Sequence, residues 1–394
     1  MKLTLPELLK SKRSGRCDAL RNAMKHGQLN DPGLIPVLVD CLADRSNEIA
    51  DFAADKVVPA IGKAAVPLIV HALNPMGAIA DFRRLRALRS IDPSEARIQA
   101  RLCLGGTHPK LVREAISALA GSVDDGDTLL QLTRRKSADH RYAAYSALQG
   151  IATDRVVKTI SEDFKKGVDF VELAMAHTPH ASYAGLCVES LKTLKATISI
   201  ESALPKNGSE RLKAAVSAAR GQSGEELDSL LHDFIDFSIN GSLARPESRL
   251  PEHDLIQHLL EAVAVNPSPK AQRRLVEHRD AFDSSFLIYP MCAASWHSDL
   301  SLFDIFSPYL VTQNDESRCR GWKCIWRGPW PCSILSAVEF ALNEDFAAAG
   351  YSGTTPLPRQ LQLIARIRED RRWISAAKAA ATPKTRQIQK TDEI

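Results

Sequence analysis

Apolar residues recur at the spacing of an α-helix along most of this chain. One helix is predicted to start at Asp31-Pro32, because a capping residue followed by proline is typical of a first helical turn. Its apolar positions are Leu34, Ile35, Leu38, Val39 and Leu42. Alternating runs rich in Val, Ile and Thr, which would indicate strands, are scarce. The pattern therefore predicts an all-α protein.

Two stretches in the first half of the chain repeat one pattern at a fixed interval. Ala115 and Ala144 are 29 positions apart, and so are Leu119 and Leu148. The same register extends back to earlier residues, in steps of 29 to 31, through two sets: Ala54, Leu85, Ala115 and Ala144; Val58, Leu88, Leu119 and Leu148. A fixed period of this kind is the mark of stacked repeats. The alternative is an ordinary helical bundle that contains Ala-rich helices.

Residues 61–73 carry a further signal, an Ile-Gly pair followed by Ala-Val-Pro and two apolar residues. This stretch resembles the join between units of short HEAT-type repeats, and the resemblance covers about residues 31–153. It implies an α-solenoid of antiparallel helix pairs, in which the second helix of each pair lines the concave face. Small residues in the second helices agree with it, since they let neighbouring helices pack closely.

The chain is expected to divide into four parts. Residues 1–30 are predicted to be N-terminal capping helices, and residues 31–198 a HEAT-like solenoid that is regular to about residue 153. Residues 199–380 are predicted to hold degenerate helical repeats or a helical C-terminal domain, because polar loops separate the helices there. A polar, flexible tail is expected at 381–394.

Composition and charge narrow the class of protein. The 394 residues are 44% hydrophobic and 25% charged, as in folded rather than disordered chains, and the net charge of +4 allows an acidic partner without requiring one. No run of ~18 apolar residues occurs, and the N-terminus lacks the apolar core of a secretory signal. Most cysteines are scattered singly, as buried small hydrophobes in a reducing compartment are. We therefore expect a cytoplasmic location and no membrane partner.

Arginines recur near one position of the repeat and form the first candidate binding site. Arg83 and Arg113 are 30 residues apart, and Arg141 follows 28 residues later. Arg86 and Arg89 share a helix side with Arg83 by i,i+3 spacing. If the solenoid resemblance holds, these arginines point into the groove and favour an acidic partner or a phosphate backbone.

The alternative for these arginines is a structural one. A repeat arginine can pair with an acidic residue of the neighbouring unit, such as Glu114 or Asp139. The first unit has Asp51 and Phe52 where the arginine would fall. A uniform ladder of arginines is therefore not predicted.

A segment rich in tryptophan and cysteine, residues 289–332, is the second candidate. Trp322, Trp326 and Trp330 stand beside Arg327. Aromatic faces next to arginine suit stacking with single-stranded nucleic acid, and Trp and Arg are also enriched in the hot spots of protein interfaces. The third interpretation is that these tryptophans pack against the C-terminal helices.

The sequence contains few candidate metal-binding or catalytic motifs. Cys319, Cys324 and Cys332 are spaced more widely than the paired thiolates of most zinc sites, so no metal is predicted. The sequence holds no glycine-rich phosphate loop, no H-E-x-x-H and no G-x-S-x-G. We predict no catalytic residues and no cofactor, and the sequence favours a protein that is not an enzyme.

The function expected from these features is binding. The leading prediction is a scaffold or adaptor that uses a curved solenoid surface to bind a protein. One version of this prediction is an inhibitor or immunity-type protein. The alternative is a nucleic-acid-binding or DNA-processing protein that acts through an Arg-lined concave face.

Overall fold

The structure, a computed structural model, describes residues 4–11, 15–201, 207–239, 252–264, 266, 268–281, 288–310, 363, 365–367 and 369–381. Every regular element within these residues is helical and none is a strand, so the all-α prediction is confirmed. The chain divides into two compact units, Met1–Thr178 and Pro179–Ile394. The four-part division expected from the sequence stays a prediction.

The first unit is a series of short helices. They are α1 (Leu5–Lys10), α2 (Arg16–Lys25), α3 (Ile35–Asp40), α4 (Asn47–Phe52), α5 (Val58–Ile61), α6 (Val66–Ala72), α7 (Ile79–Ile91), α8 (Pro93–Cys103), α9 (Pro109–Ala118), α10 (Gly126–Leu132), α11 (Ala138–Ala147), α12 (Asp154–Lys165) and α13 (Val171–Met175). One π-helical turn, Ala53–Val57, connects α4 to α5.

From α7 onward the helices of this unit contact one another in sequence order. α7 contacts α9, α9 contacts α11, and α11 contacts α13. The intervening helices α8, α10 and α12 pack on α9, α11 and α13 respectively. Sequential contacts of this kind are expected of stacked helix pairs, and they also occur in other helical stacks.

The register predicted from the sequence falls on buried positions. Its large residues have no exposed surface: Val58, Leu88, Leu119 and Leu148. Its second set is at most 1% exposed: Ala54, Leu85, Ala115 and Ala144. Ala174, on α13, continues this set 30 residues after Ala144 and is also buried. The periodic residues therefore form the packed interior between the helices.

Two glycines join consecutive helix pairs. Gly121 and Gly150 follow α9 and α11 with φ of 70° and 82°, in the left-handed region that a side chain disfavours. The Gly121 N–H donates to the carbonyl of Ala147 at 3.1 Å, and the Gly150 N–H donates to Oγ1 of Thr178 at 2.7 Å. Each glycine thus ends a helix and hydrogen-bonds to the end of the following pair.

The second unit is also helical. Its described helices are α14 (Ala181–Glu201), α15 (Gly208–Ala218), α16 (Glu225–Ile239), α17 (Glu252–Ala264), α18 (Pro269–Glu277), α19 (Ile288–Ala294), α20 (Leu302–Phe306) and α21 (Arg372–Ala381). α17 contacts α15, α16, α18 and α19, and α14 packs on α15 and α16.

One helix prediction in this unit is wrong. In the sequence, the apolar spacing of Leu361, Ile364, Ile367 and Trp373 predicts one long helix over 358–380, but in the described part of that range the helix is interrupted at Asp370. The Asp370 carboxylate accepts the backbone N–H of Arg372 at 3.1 Å, which caps the start of α21. A capping bond of this kind competes with helix continuation.

Candidate functional site

The arginine at the centre of the first candidate site is buried. Arg83 lies on α7 and is 3% exposed. Its Nε donates to Oδ1 of Asp51 at 2.7 Å, and its Nη2 donates to Oδ1 of Asn47 at the same distance. Both partners belong to α4, in an earlier helix pair. Arg83 therefore joins two helices rather than presenting its charge at the surface.

Arg86 and Arg89 are also paired with carboxylates of neighbouring helices. Arg86 Nη2 lies 2.7 Å from Oδ1 of Asp55, in the π-helical turn. Arg89 Nε lies 2.8 Å from Oε1 of Glu114, on α9. The structural alternative, in which an arginine pairs with an acidic residue of a neighbouring unit, describes the geometry of these arginines. Glu114 pairs with Arg89, which is not one of the repeat-position arginines Arg83, Arg113 and Arg141.

Arg113 and Arg141 differ from the arginines of α7. Arg113 is exposed on α9, and no carboxylate of the described residues lies within ion-pairing distance of it. Arg141 Nη1 donates to the backbone carbonyls of Arg135 at 3.3 Å and Lys136 at 2.9 Å. The five arginines predicted as one site therefore differ. Arg83 is buried in its ion pair, whereas Arg86 and Arg89 are paired but partly exposed. Arg113 and Arg141 lack such a close carboxylate among the described residues, and the role of all five in binding stays a prediction.

The second candidate site is described only in part. Trp322, Trp326, Arg327 and Trp330 lie outside the described residues. At the start of the segment, Cys292 is buried and burial raises the pKa of its thiol, while Trp296 is 44% exposed. No group of three His, Cys, Asp or Glu side chains in the described part of the chain is arranged to hold a metal ion.

Buried acidic residues form inter-helix contacts that the sequence reasoning missed. Asp163 on α12 accepts hydrogen bonds from Tyr145 Oη at 2.9 Å and from Arg134 Nη2 at 2.8 and 2.9 Å. Asp125 accepts Arg101 Nε at 2.8 Å and Nη2 at 3.0 Å, in the bidentate geometry of a strong pair. Arg134 and Asp163 are 29 residues apart, which matches the repeat interval and was the signal that the sequence offered for this pair. Arg101 and Asp125 are 24 residues apart and do not match that interval.

The most exposed large apolar side chains lie around α8. Among the described residues, Met76, Ile98, Leu102 and Val123 are 51% to 61% exposed, more than any other large apolar side chain. Ile98 and Leu102 share one face of α8 by i,i+4 spacing. We call these four residues the apolar patch.

Contacts at the C-terminal half of α8 place the other two members of the apolar patch close to that helix. The Met76 methyl group lies 3.4 Å from where a β-carbon on Gly105 would stand. Arg101, on the same part of α8, pairs with Asp125, two residues after Val123. The four side chains therefore belong to one region of the first unit.

A cavity of about 520 Å³ lies in the second unit, but two of its arginines are already engaged in hydrogen bonds and ion pairs. It is lined by Ser301, Leu302, Arg366, Glu369, Asp370, Arg371 and Arg372. Arg366 donates to the carbonyls of Ser295, His297 and Leu300, and Arg372 pairs with Asp304 and Asp370. These two guanidinium groups fix the surrounding turns and helix.

No protein-family model matches this sequence, and no curated protein matches it. None of the described helices is both long and apolar enough to cross a lipid bilayer. The fold therefore defines the class only as an all-helical protein with sequential helix contacts.

Proposed function

We propose that this chain is a non-enzymatic scaffold or adaptor built of HEAT-type repeats, and that it binds another protein. The helices from α7 to α13 contact one another in sequence order, which supports HEAT-type repeats. The burial of Leu88, Leu119 and Leu148, which occupy the same position in successive repeats, supports them as well. Stacked repeats present extended surfaces, and such surfaces serve binding.

The apolar patch carries the proposal. Exposed apolar side chains gathered in one region of a folded protein mark sites of protein contact, because burying them against a partner removes apolar surface from water. Arg101, next to Leu102, is already paired with Asp125. The patch therefore suits an apolar partner surface better than a phosphate backbone.

The partner surface that fits this patch is the apolar face of a helix. Ile98 and Leu102 form an i,i+4 ridge on α8, and ridges of this type pack into the groove between the side chains of a second helix. Association of this kind depends weakly on salt, whereas phosphate binding falls steeply as salt rises.

The test compares two variants of the full chain. Ile98→Ser/Leu102→Ser removes the ridge, and Met24→Ser/Ile374→Ser is the matched control, since Met24 and Ile374 are exposed apolar residues outside the patch. Quantitative affinity purification is expected to show a protein that the wild type and the control retain in 0.5 M salt and that the ridge variant loses. Light scattering should show the same mass for all three proteins.

Two results would count against the proposal. Identical sets of retained proteins for the ridge variant and the wild type would remove the apolar patch as the binding site. A dimer of the wild type that dissociates in the ridge variant would make a second copy of this chain the occupant of the patch, in place of a partner protein.

A further inference from the structure

Basic side chains lie in or beside three consecutive loops of the first unit. The loops 104–108, 133–137 and 166–170 join α8 to α9, α10 to α11 and α12 to α13. Lys and Arg side chains lie in these loops or beside them. Arg101 and Arg134 pair with the buried carboxylates of Asp125 and Asp163. We call six others the basic edge: Lys110, Arg135, Lys136, Arg141, Lys165 and Lys166.

Contacts between the loops show that they adjoin. Arg135 Nη2 donates to the carbonyl of Leu104 at 3.0 Å, which links the second loop to the first. The rings of Tyr142 and Phe170 meet edge to face with centroids 5.6 Å apart, which links the start of α11 to the third loop. The basic edge is therefore continuous across three helix pairs.

The positive charge of this edge is largely free of carboxylate partners. Lys110, Lys136, Lys165 and Lys166 are exposed, and no ion pair joins them to any carboxylate of the described residues. This contrasts with the arginines of α7, each of which has a carboxylate at 2.7 or 2.8 Å.

The two arginines of the edge are held by backbone groups instead. Arg135 and Arg141 donate to carbonyl oxygens, and the nearest carboxylate of Arg141, Asp169, is 3.9 Å away and mostly exposed. A carbonyl orients a guanidinium group without neutralising it. The pKa of His140 in this region is lowered, first by burial and next by the charge of Arg135.

We propose that the basic edge binds an acidic, extended segment of a partner protein, with one carboxylate for each helix pair. Packed helices lie about 8–10 Å apart, which sets the spacing between successive loops. In a polyproline II segment every third side chain returns to the same face after a rise of about 9 Å. Glutamates at every third position therefore match the repeat of the lysines.

The partner is assigned as a protein segment and not as single-stranded nucleic acid. Nonspecific single-strand binding combines basic grooves with aromatic faces on which bases stack. At this edge the rings of Tyr142 and Phe170 pack on each other. The inference shares with the proposed function the premise of a protein partner, but it concerns a surface separate from the apolar patch.

The test uses the full chain and labelled peptides in a fluorescence anisotropy titration. The probe is a twelve-residue peptide with four Glu-Pro-Pro units, and the comparison peptide has the same composition with its four glutamates adjacent. At about 50 mM salt we expect the spaced peptide to bind several-fold more tightly, and both to weaken steeply by about 300 mM salt. A single-stranded oligonucleotide of twelve residues is titrated alongside.

Two variants with the same change in net charge locate the site. Lys110→Gln/Lys136→Gln/Lys165→Gln/Lys166→Gln is expected to weaken binding of the spaced peptide at least about tenfold, since each exposed charge pair contributes about two- to five-fold. The control replaces four exposed lysines elsewhere, Lys25, Lys63, Lys158 and Lys270, by glutamine and should bind as the wild type does.

Three outcomes overturn the assignment. They are equal weakening by both variants, equal affinity for the two peptides, and tighter binding of the oligonucleotide than of the spaced peptide. The Ile98→Ser/Leu102→Ser variant should bind the spaced peptide normally, so failure of the apolar patch and failure of the basic edge are separate results.

Discussion

The Nε atom of Arg83 lies 2.7 Å from Oδ1 of Asp51, 32 residues earlier in the chain. The two partners differ in environment, because the Arg83 side chain is 3% exposed and that of Asp51 is 49% exposed. The pair thus joins a buried cation on α7 to a carboxylate on α4 that is half exposed to solvent.

Removing the two partners of this pair is expected to have unequal effects on stability. Asp51→Ala leaves a buried guanidinium with Asn47 as its remaining partner, at a cost on the order of 2–3 kcal/mol. Arg83→Met keeps most of the aliphatic part of the side chain, and the half-exposed Asp51 carboxylate can then be hydrated. The expected cost is about 1–2 kcal/mol. Urea unfolding of the full chain measures both.

The exposed pair of Arg155 and Asp127 serves as the control for this comparison. Its atoms are 2.8 Å apart, but both side chains are more than half exposed. Asp127→Ala should therefore change the unfolding free energy by less than about 1 kcal/mol. Equal costs for Asp51→Ala and Arg83→Met would show that the difference in burial does not govern the pair.

A second prediction concerns the buried contact between Tyr145 and Asp163. Tyr145 Oη donates to Asp163 at 2.9 Å, and burial, followed by the bond to Asp163, raises the pKa of Tyr145 to about 12. Tyr145→Phe should cost about 1 kcal/mol, while Asp163→Ala also removes the partner of Arg134 and should cost about 2–3 kcal/mol. The double variant should cost less than the sum, because both changes remove one hydrogen bond. Additive costs in urea unfolding would contradict the contact.

The helices and their register were predictable from the sequence because both follow local periodicity. A residue such as Leu88 or Leu119 is buried when its own helix presents one apolar side, and that side is visible in a short window. Ion pairs are different, since they depend on which residues face each other across two helices. The sequence suggested Glu114 as the partner of a repeat-position arginine in the neighbouring unit, and the structure pairs Glu114 with Arg89 instead.

The apolar patch was not predicted, although its signal was present. In α8 the core side is formed by Ala96, Ala100 and Cys103, which are fully buried. Ile98 and Leu102 therefore make a second apolar stripe on a helix whose core side is already complete. A second apolar stripe of this kind is evidence for a contact with something outside the first unit. Hydrophobic periodicity alone does not reveal it, because periodicity identifies only the core side of a helix.

Buried cysteines of the chain are expected to resist alkylation in the native state. Burial raises the pKa of Cys41 and Cys103 to about 11 and that of Cys187 to about 12. At pH 8 the thiolate fraction of such groups is on the order of one in a thousand, and the thiolate is the reactive form. Iodoacetamide followed by peptide mass spectrometry should therefore leave them unmodified until urea is added.

A cysteine placed on the surface provides the control for this labelling. Ser146 is exposed on α11, so Ser146→Cys should be alkylated within minutes under the same conditions. Native labelling of Cys103 as fast as that of the new cysteine would mean that α8 opens readily from the first unit.

The last prediction is a loss of stability in mild acid that arises from His232. This residue is buried on α16, and its Nε2 lies 3.2 Å from the carbonyl oxygen of Ala271 on α18. Burial first, and then the positive charges of Arg274 and His278, lower the pKa of His232 from 6.5 to about 4, even though the Ala271 carbonyl and Asp236 oppose the shift. The neutral imidazole is therefore the form that fits between the two helices.

The sign of the pH dependence follows from that lowered pKa. Between about pH 6.5 and pH 4 the unfolded chain binds a proton at His232 that the native chain does not, so the unfolding free energy falls as the pH drops through this window. The loss should be on the order of 2–3 kcal/mol by pH 4, and urea unfolding at pH 7 and pH 4.5 measures most of it. His232→Leu should lose less stability between these two pH values, whereas His71→Gln, at an exposed position, should behave as the wild type does. The same decrease in His232→Leu as in the wild type would assign the acid sensitivity to other groups.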